Sequence, residues 1–418
     1  MKKKLLSFFV LSCTLLSFSQ GNIKVMFYNL LHYPSTQPSR ISHLEAILDD
    51  YQPDIFAVCE LENGGASGVL NAIQTPDNRY VAATFVSNQS VPSSDLQQMI
   101  YFNHQKLNLV TETVHTTVVR DINQYTFLLE TPDKVTNPKY LEVFVTHLKA
   151  GTNSQNPNNE QKRLDAINVF TTALNSVPTD RYILFAGDFN LYDANEPAYV
   201  ELLDPTNNIV MVDPINRPGS WHNTSSFQDI FTQSTFSVTD GNGHIGDGST
   251  GGIDDRFDFI MMSENLQTSS EVYYKPNTYA AYGNNGNCWN KSINNTSCSG
   301  TYSQTIRNHL FNFSDHLPVV MELETQQTLT ISSEIVVENL LSFSDGNIVT
   351  HSLGIKKSPN KLNNSTLIIY NQLGQRVLDY YITREALITL DVAHLSTGIY
   401  YITNDKFNIE PLKFFKTN

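Results

Sequence analysis

Four short apolar runs, each ending at a polar residue, constrain the fold of this chain more than any other feature. They cover residues 23–28 before Asn29, 54–59 before Glu60, 140–146 before His147 and 182–187 before Asp188. Short runs rich in β-branched and aromatic side chains, bounded by turn residues, predict buried β-strands. Amphipathic helices are predicted over residues 39–51 and 160–174, where apolar side chains recur on one face. Alternating strands and helices indicate a layered α/β domain.

Two further apolar runs predict that the strands form more than one sheet. Residues 98–103 and 125–130 read as strands but have no obvious crossover helix beside them. Strands without such a helix are joined as antiparallel hairpins. We therefore expect two mixed sheets that face each other.

The polar residues at the strand ends are candidates for one active site, because strand ends converge on a common rim. Oxygen ligands from Asn29, Glu60 and Asp315 suit Mg²⁺, with Mn²⁺ or Ca²⁺ as alternatives. The imidazoles of His147 and His316 could exchange hydrogen bonds or protons with a phosphate or water. Three more polar residues complete this set: Asp188 and Asn190, predicted on the same side of an extended segment, and Asp258, predicted to orient His316.

Each of these residues also has a purely structural interpretation when taken alone. Asn29 can cap the following loop, and Glu60 can be a solvated strand end. His147 can be a core histidine bonded to a backbone carbonyl, and Asp188 can belong to a turn. Arg256 and Asp258 can form a surface ion pair of little energetic value.

Composition limits the function without deciding it. The chain has 418 residues, 40% of them hydrophobic, which is enough for two domains or one large domain with an appendage. Acidic residues number 41 against 27 basic ones, and the excess lies between residues 20 and 324. Such charge argues against tight clamping of a long nucleic acid. A nuclease is not excluded, because a bound cation changes the local field.

The N-terminus predicts export. Lys2, Lys3 and Lys4 precede an apolar run, and the small residues Ser17 and Ser19 suit a signal-peptide cleavage site. We expect cleavage after Ser19, with a lipoprotein at Cys13 as the alternative. The rest of the chain has no stretch that predicts stable membrane insertion.

Cysteine usage agrees with an oxidising compartment. Cys288 and Cys298 lie in a polar loop and are predicted to form a disulfide, in preference to a two-cysteine zinc site. Cys59 is expected to be buried in a strand. The glycine-rich residues 239–252 predict a mobile loop over the cleft, in preference to a calcium loop.

A series of motifs resembles the endonuclease/exonuclease/phosphatase superfamily, to which pancreatic DNase I belongs. The motifs are FYN at Asn29, CELEN at Glu60, VTHLKAG at His147, GDFN at Asp188 and Asn190, DDRFDFI at Asp258, and SDHLPVV at Asp315 and His316. The resemblance covers about residues 22–324 and implies a four-layer α/β/β/α sandwich.

The resemblance also implies a role for each site residue. Glu60, helped by Asn29 and Asp315, would bind the divalent cation. The attacking water and the phosphate would be oriented by Asp188 and Asn190. Two histidines complete the set: His316, oriented by Asp258, as general base or transition-state stabiliser, and His147 near the leaving oxygen.

One position departs from the family pattern. DNase I-like members pair the first histidine with a glutamate on a neighbouring strand. Here that strand, residues 97–102, contains no acid. The departure puts a general-acid role of His147 in doubt.

The C-terminal segment predicts a separate, all-β domain. Short β-type runs at residues 367–370, 387–390 and 399–402 are separated by turn signals. The segment resembles the sorting domain of type IX secretion substrates in Bacteroidota, and a carbohydrate-binding or structural β-module is the alternative. We expect a signal peptide over residues 1–19, a catalytic domain over 20–325, and a linker with the sorting domain over 326–418.

Together these features predict a secreted, divalent-metal-dependent phosphodiester hydrolase, foremost an extracellular nuclease acting on DNA or RNA. Its partners would be nucleic acid as substrate and the type IX secretion machinery. The alternatives are a sphingomyelinase-like or sugar-phosphate phosphodiesterase or phosphatase, and a secreted binding module with an inactive site.

Overall fold

The computed structural model describes residues 21–35, 38–74, 78–233, 248–249, 251–329, 340–357, 362–383, 385–405, 409 and 411–418. The chain divides into two compact units, Met1–Ile331 and Ser332–Asn418. The leader, and most of the glycine-rich segment at 239–252, lie outside the described residues.

The first sheet of unit 1 is seven-stranded and mixed. Its strands are β1 (Gly21–Tyr33), β2 (Ile55–Leu61), β3 (Tyr80–Ala82), β4 (Gln97–Asn103), β11 (Val272–Tyr274), β12 (Ala280–Ala281) and β13 (Val319–Thr325). The order is β11-β13-β1-β2-β4-β3, with β12 also paired to β13. The antiparallel pairing predicted for the strand at 98–103 is confirmed, since β4 runs antiparallel to β2 and β3.

The second sheet is six-stranded and also mixed. It contains β5 (Leu107–His115), β6 (Ile122–Leu129), β7 (Tyr140–His147), β8 (Tyr182–Asp188), β9 (Met211–Val212) and β10 (Asp258–Ser263). Its order is β5-β6-β7-β8-β10-β9. As expected, β6 pairs antiparallel with both neighbours, whereas β7 and β8 are parallel.

The two sheets pack face to face because their strands are apolar on both sides. In β1, Val25 and Phe27 point into a core shared with β6, β7, β8 and β10. The alternate residues Met26 and Tyr28 belong to a second core that includes the helices. Two-fold alternation of this kind sends successive side chains to opposite faces. The result is the predicted α/β/β/α sandwich.

Helices cover the outer faces of both sheets. They are α1 (Ile41–Tyr51), α2 (Ala66–Ile73), α3 (Asn159–Leu174), α4 (Pro197–Leu202) and α6 (Gln304–Phe313), whereas the short α5 (Asn265–Thr268) contributes Leu266 to the core between the sheets. The two helices predicted from periodicity correspond to α1, after a single 3₁₀ turn, and α3. The N-cap of α6 is Ser303, whose hydroxyl oxygen accepts the N–H of Ile306 at 3.2 Å. No helix in the described ranges is long and apolar enough to cross a membrane.

Unit 2 is built of strands in two sheets around its own apolar core. The smaller sheet holds β14 (Leu341–Phe343), β16 (Ser352–Lys357) and β19 (Leu387–Asp391). The larger holds β15 (Ile348–Val349), β17 (Ser365–Asn371), β18 (Arg376–Ile382), β20 (Gly398–Asn404) and β21 (Leu412–Lys416). The three runs predicted as strands lie within β17, β19 and β20, so the all-β prediction for this segment is confirmed.

The cysteine predictions are also confirmed. Cys288 and Cys298 form a disulfide across ten residues of the loop before α6. Cys59 is free and fully buried in β2.

We predict that Cys298→Ser destabilises unit 1 by about 3 kcal/mol, because a disulfide that closes a loop of this size restricts the unfolded chain. Thermal unfolding in the absence of reductant should show a lower midpoint for the variant. Reductant should lower the midpoint of the wild type and leave that of the variant unchanged. Equal midpoints for the two oxidised proteins would contradict the prediction.

Candidate active site

Three predicted site residues lie side by side at the end of the second sheet. His147 ends β7 and is in register with Asp188, which ends β8. Asp188 is in turn in register with Asp258, the first residue of the antiparallel strand β10. Residues 41 and 70 positions apart in sequence (147 to 188, and 188 to 258) therefore become neighbours through strand order alone.

Asn29 connects this row to the first sheet. Its amide Nδ2 donates to Glu60 Oε1 at 2.9 Å and to Asp188 Oδ2 at 3.1 Å. Its amide oxygen accepts the N–H of Leu31 at 2.9 Å. The side chain thus presents its NH₂ group to the two carboxylates, whereas the sequence led us to expect its oxygen as a metal ligand.

The backbone around these groups is strained. Leu31, His32, Glu60 and Asn190 have φ values of 45°, 50°, 53° and 52°, in the left-handed region that non-glycine residues rarely adopt. The pairing of β1 with β2 also shifts register between Asn29 and Tyr33. Such irregularities redirect side chains at the end of a strand. One consequence is that the N–H of His32 donates to Glu60 Oε2 at 3.2 Å.

The same observation corrects the expected geometry of the GDFN motif. Because Asn190 is left-handed, the segment is a turn and not the extended chain predicted. The N–H of Asn190 donates to Asp188 Oδ1 at 3.1 Å, and its amide Nδ2 donates to the carbonyl of Leu148 at 3.3 Å. Asn190 thereby fixes Oδ1 of Asp188, the carboxylate oxygen that does not face Asn29 and His147.

His316 makes the predicted contact with Asp258. Its Nδ1 lies 2.7 Å from Asp258 Oδ2, and its Nε2 lies 3.8 Å from Asp188 Oδ2. Burial opposes a positive charge on the ring, but Asp258 and Asp188 outweigh burial and raise the pKa of His316 well above its ordinary value. Burial itself raises the pKa of the Asp188 carboxyl. These surroundings therefore favour the protonated form of both the His316 ring and the Asp188 carboxyl.

His147 has the opposite electrostatic character. Burial, and next the charge of Arg120, hold its pKa well below the ordinary value, so its ring is neutral. Its Nε2 lies 3.5 Å from Asp188 Oδ2 and 3.8 Å from Glu60 Oε1. Its Nδ1 is buried and has no hydrogen-bond partner among the residues that the structure describes. On the strand without an acid, Gln98 donates to Asn123 and to the carbonyl of Asp121, not to His147.

Asp315 lies on the loop that leads from α6 into β13. Its Oδ2 accepts the N–H of Ser249 at 2.8 Å. Its Oδ1 is buried without a hydrogen-bond partner in the described part of the chain. Burial raises the pKa of this carboxyl; the charge of His316 opposes the rise, and the nearby charge of Glu60 adds to it.

The donor set fits a hard divalent cation. Ligand atoms of Glu60, His147 and Asp188 lie within 4.8 Å of one another, as do those of Asp188, Asp258 and His316. Carboxylate oxygens held this close, together with the unpartnered oxygen of Asp315, match the chemistry that Mg²⁺, Mn²⁺ or Ca²⁺ requires. Asp315 belongs to neither of these two groups.

Sequence reasoning missed two residues that support the site. Arg40, buried at the turn before α1, donates to the carbonyls of Leu30 (2.7 Å), Leu31 and Phe313. It therefore joins the end of β1 to the end of α6. Burial lowers its pKa to about 10. An arginine in a 3₁₀ turn carries no sequence signal for this role.

Thr232 is the second missed residue. Its hydroxyl oxygen accepts the N–H of Phe257 at 3.1 Å and that of Asp258 at 3.0 Å, and its carbonyl accepts the N–H of Leu317. It thereby ties the strand of Asp258 to the loop of His316. A lone threonine outside the motifs offered no signal.

The proposed surface ion pair between Arg256 and Asp258 is not formed. Arg256 is buried and binds Asp213 through two parallel hydrogen bonds of 2.7 and 2.9 Å. The Asp258 carboxylate is therefore available to bind His316 instead of Arg256.

Comparison with known protein families agrees with the fold of unit 1. The model of the endonuclease/exonuclease/phosphatase family matches residues 26–316. The chain belongs to this family. Its members are divalent-metal-dependent hydrolases of phosphoester bonds. A second model, the secretion system C-terminal sorting domain, matches residues 347–411, and this domain directs type IX secretion to the cell surface or outside.

Solved structures of low sequence identity are similar to this chain. TDP2 from D. rerio, complexed with a single-strand DNA product, is 16% identical with a TM-score of 0.47, covering 73% of this chain and 99% of that chain. A mannosyl-6-phosphatase from Bacteroides thetaiotaomicron is 14% identical with a TM-score of 0.45, covering 72% and 99%. A family protein from the same organism is 14% identical with a TM-score of 0.46, covering 74% and 99%. No curated protein matches the sequence.

We predict that Arg40→Lys lowers the free energy of unfolding by about 2–4 kcal/mol, because a compact ammonium cannot span, as the guanidinium fork does, the carbonyls of two separate segments. Urea unfolding measures the change. The matched control is Arg217→Lys, whose partially exposed pair with Asp229 should contribute less than about 1 kcal/mol. Equal effects of the two substitutions would contradict the role of Arg40.

We predict that Asp213→Asn costs about 3–5 kcal/mol at pH 7, because it leaves Arg256 charged and buried. Burial opposes the Asp213 charge, but Arg256 outweighs burial and lowers the pKa of Asp213 below 3.8. The stability due to this charge is therefore present above about pH 4 and is lost as the pH falls through the folded-state pKa. Urea unfolding of both proteins from pH 7 to pH 3 should show the difference shrinking in acid. Asp229→Asn is the surface control.

Proposed function

We propose that the protein is a secreted phosphodiesterase that cleaves nucleic acid with the help of a divalent cation. The observation that carries this proposal is the position of Asp188 between two imidazoles. Its Oδ2 lies 3.5 Å from His147 Nε2, 3.8 Å from His316 Nε2 and 3.1 Å from the Asn29 amide. A carboxylate with a raised pKa between a charged and a neutral imidazole can take a proton from water and have new negative charge stabilised beside it.

In this proposal Glu60 and Asp315 hold the cation, and Asn29 holds the Glu60 and Asp188 carboxylates in place. When bound, the cation supplies Lewis-acid stabilisation of the phosphate oxygens. Asp188 accepts the proton of the attacking water, and Asn190 fixes the Asp188 carboxylate through its backbone N–H.

The two histidines then have different tasks. His316, held by Asp258 and positively charged, stabilises the charge that develops on the phosphate, which favours the stabiliser role over the general-base role. His147 is neutral and has no acid at Nδ1. It can donate a hydrogen bond to the leaving oxygen but is poorly suited to protonate it.

Local charge supports a nucleic acid as the substrate. Although the chain has a net charge of −14, cations gather beside His147. Arg120 donates to the carbonyl oxygen of Leu148 at 3.1 Å, and Lys149 follows directly. Burial, and then the charges of Arg120 and Lys162, lower the pKa of Lys149. Cations at this point suit a polyanion that continues beyond the cleaved phosphate. The acidic charge of the rest of the chain favours a second candidate substrate, a small sugar-phosphate ester.

We also propose the division of the chain into a signal peptide over residues 1–19, a catalytic domain over 20–325 and a linker with the sorting domain over 326–418. The sorting-domain match at residues 347–411 supports the last of these. The secretion machinery would then read the tail, which takes no part in catalysis.

We predict that Asp188→Ala and His316→Ala each lower the turnover of bis-p-nitrophenyl phosphate by about 100- to 10,000-fold. The secreted protein should be assayed with Mg²⁺, Mn²⁺ or Ca²⁺. Glu271→Gln is the matched control, since this carboxylate is partly exposed and pairs with Lys139 away from the site. Unchanged turnover in either alanine variant would overturn the assignment.

The same preparation distinguishes the substrates. Plasmid DNA, RNA, sphingomyelin and sugar phosphates should be offered in parallel, and we expect digestion of a nucleic acid. Release of phosphate from sugar phosphates alone would favour the second candidate. Hydrolysis of none of them would favour a binding module.

A further inference from the structure

The loop between β12 and α6 carries an exposed aromatic side chain that the proposed chemistry does not use. Trp289 is 39% exposed, next to the disulfide cysteine Cys288. Asn290 and Lys291, which follow it, are exposed as well. The chain has two tryptophans, and the other, Trp221, is fully buried. A large indole held at the surface by a disulfide suggests a binding role.

The base of this loop is fastened to the segment that supports His316. The Asn284 amide Nδ2 donates to the carbonyl of Phe231 at 2.9 Å and to that of Gln228 at 2.8 Å. Phe231 precedes Thr232, which binds the backbone at Asp258 and Leu317. The base of the loop therefore contacts Phe231, the residue before Thr232, and Thr232 links the segments of Asp258 and His316.

The tip of the loop is fastened to the segment that leads to Asp258. The N–H of Asn290 donates to the carbonyl of Ile253, and the N–H of Ile253 donates to the carbonyl of Lys291, both at 3.0 Å. A Cβ on Gly252 would lie 2.0 Å from the backbone of Asn290. The backbone segments at Gly252 and Asn290 therefore approach as closely as glycine permits. Trp289 is thus held by its neighbours on both sides.

The distance from this contact to the site is short. Ser249, four residues before Ile253, donates its N–H to Asp315 Oδ2 at 2.8 Å. Four residues of chain span at most about 14 Å. Trp289 bridges to Ile253 and therefore belongs to a loop that is fastened to the segment between the Asp315 contact at Ser249 and the catalytic Asp258.

We propose that Trp289, with Lys291 beside it, forms a subsite on which a base of a single-stranded nucleic acid stacks while its backbone enters the site. An aromatic face next to a cation is the combination that proteins use to bind single strands. The disulfide keeps the indole ordered, which reduces the entropic cost of stacking. This inference rests on the proposed function and names single-stranded nucleic acid as the substrate class.

Fluorescence tests the contact directly, because Trp289 is the exposed one of the two tryptophans. The full-length protein carrying Asp188→Asn, which prevents cleavage, should be titrated with a 12-mer of oligothymidylate. The control ligand is a 12-mer of abasic deoxyribose phosphate, with the same charge and no bases. We expect quenching by oligothymidylate, little by the abasic chain, and none in the same protein with Trp289→Phe added.

Other results would overturn the subsite. Equal quenching by both 12-mers would show that only charge is recognised. Quenching by mannose 6-phosphate or by sphingomyelin vesicles, and not by oligothymidylate, would assign the loop to a sugar or a lipid.

Kinetics separate this inference from the proposed function. For Trp289→Ala we expect kcat/KM to fall about 10- to 100-fold more with oligothymidylate than with bis-p-nitrophenyl phosphate, mainly through KM. Trp289→Phe should restore most of the loss. The matched control is Val135→Ala, at another exposed apolar side chain. Equal losses on the two substrates would overturn the subsite while leaving the proposed function intact. A wild type that cleaves no phosphodiester would overturn the proposed function, and the titration would still decide whether the loop binds bases.

Discussion

The structure of this site depends on keeping one buried carboxylate, Asp188, beside two others. Burial contributes most to the cost of its charge, and Asp258 and Glu60 raise that cost further. The opposing contribution comes from the Asn29 amide, which donates to Asp188 and Glu60 at once, and from the charge of His316. Since Asn29 and Asp188 belong to different sheets, the same hydrogen bonds also join the two halves of the sandwich at the site.

Such an arrangement persists only if the surrounding fold restrains it. The left-handed residues at the ends of β1, β2 and β8 each cost free energy. Buried polar links compensate: Arg40 binds carbonyls from β1 and α6, and Thr232 binds the segments of Asp258 and His316. The Arg256–Asp213 pair holds the segment that enters β10. These residues lie outside the candidate catalytic set, yet they set the positions of its members.

The electrostatic division between the two histidines follows from their neighbours. His316 lies against two carboxylates and is charged, whereas His147 is buried near Arg120 and is neutral. The family motifs define the chemistry of phosphoester hydrolysis but not its substrate. In the proposed function, two further features bear on the substrate: the cations Arg120 and Lys149 beside His147, and the disulfide-bonded loop with its exposed indole.

The sequence by itself determined the layered pattern of strands and helices, the all-β tail, the disulfide and the set of polar strand ends. It could do so because apolar periodicity and residue type are local properties. Tertiary structure alone decided that the Asn29 amide faces the carboxylates with its NH₂ group, that Asn190 turns, and that Arg256 pairs with Asp213. It also brought Arg40 and Thr232 to the site. These outcomes depend on strand register and on contacts between distant segments, which no local pattern encodes.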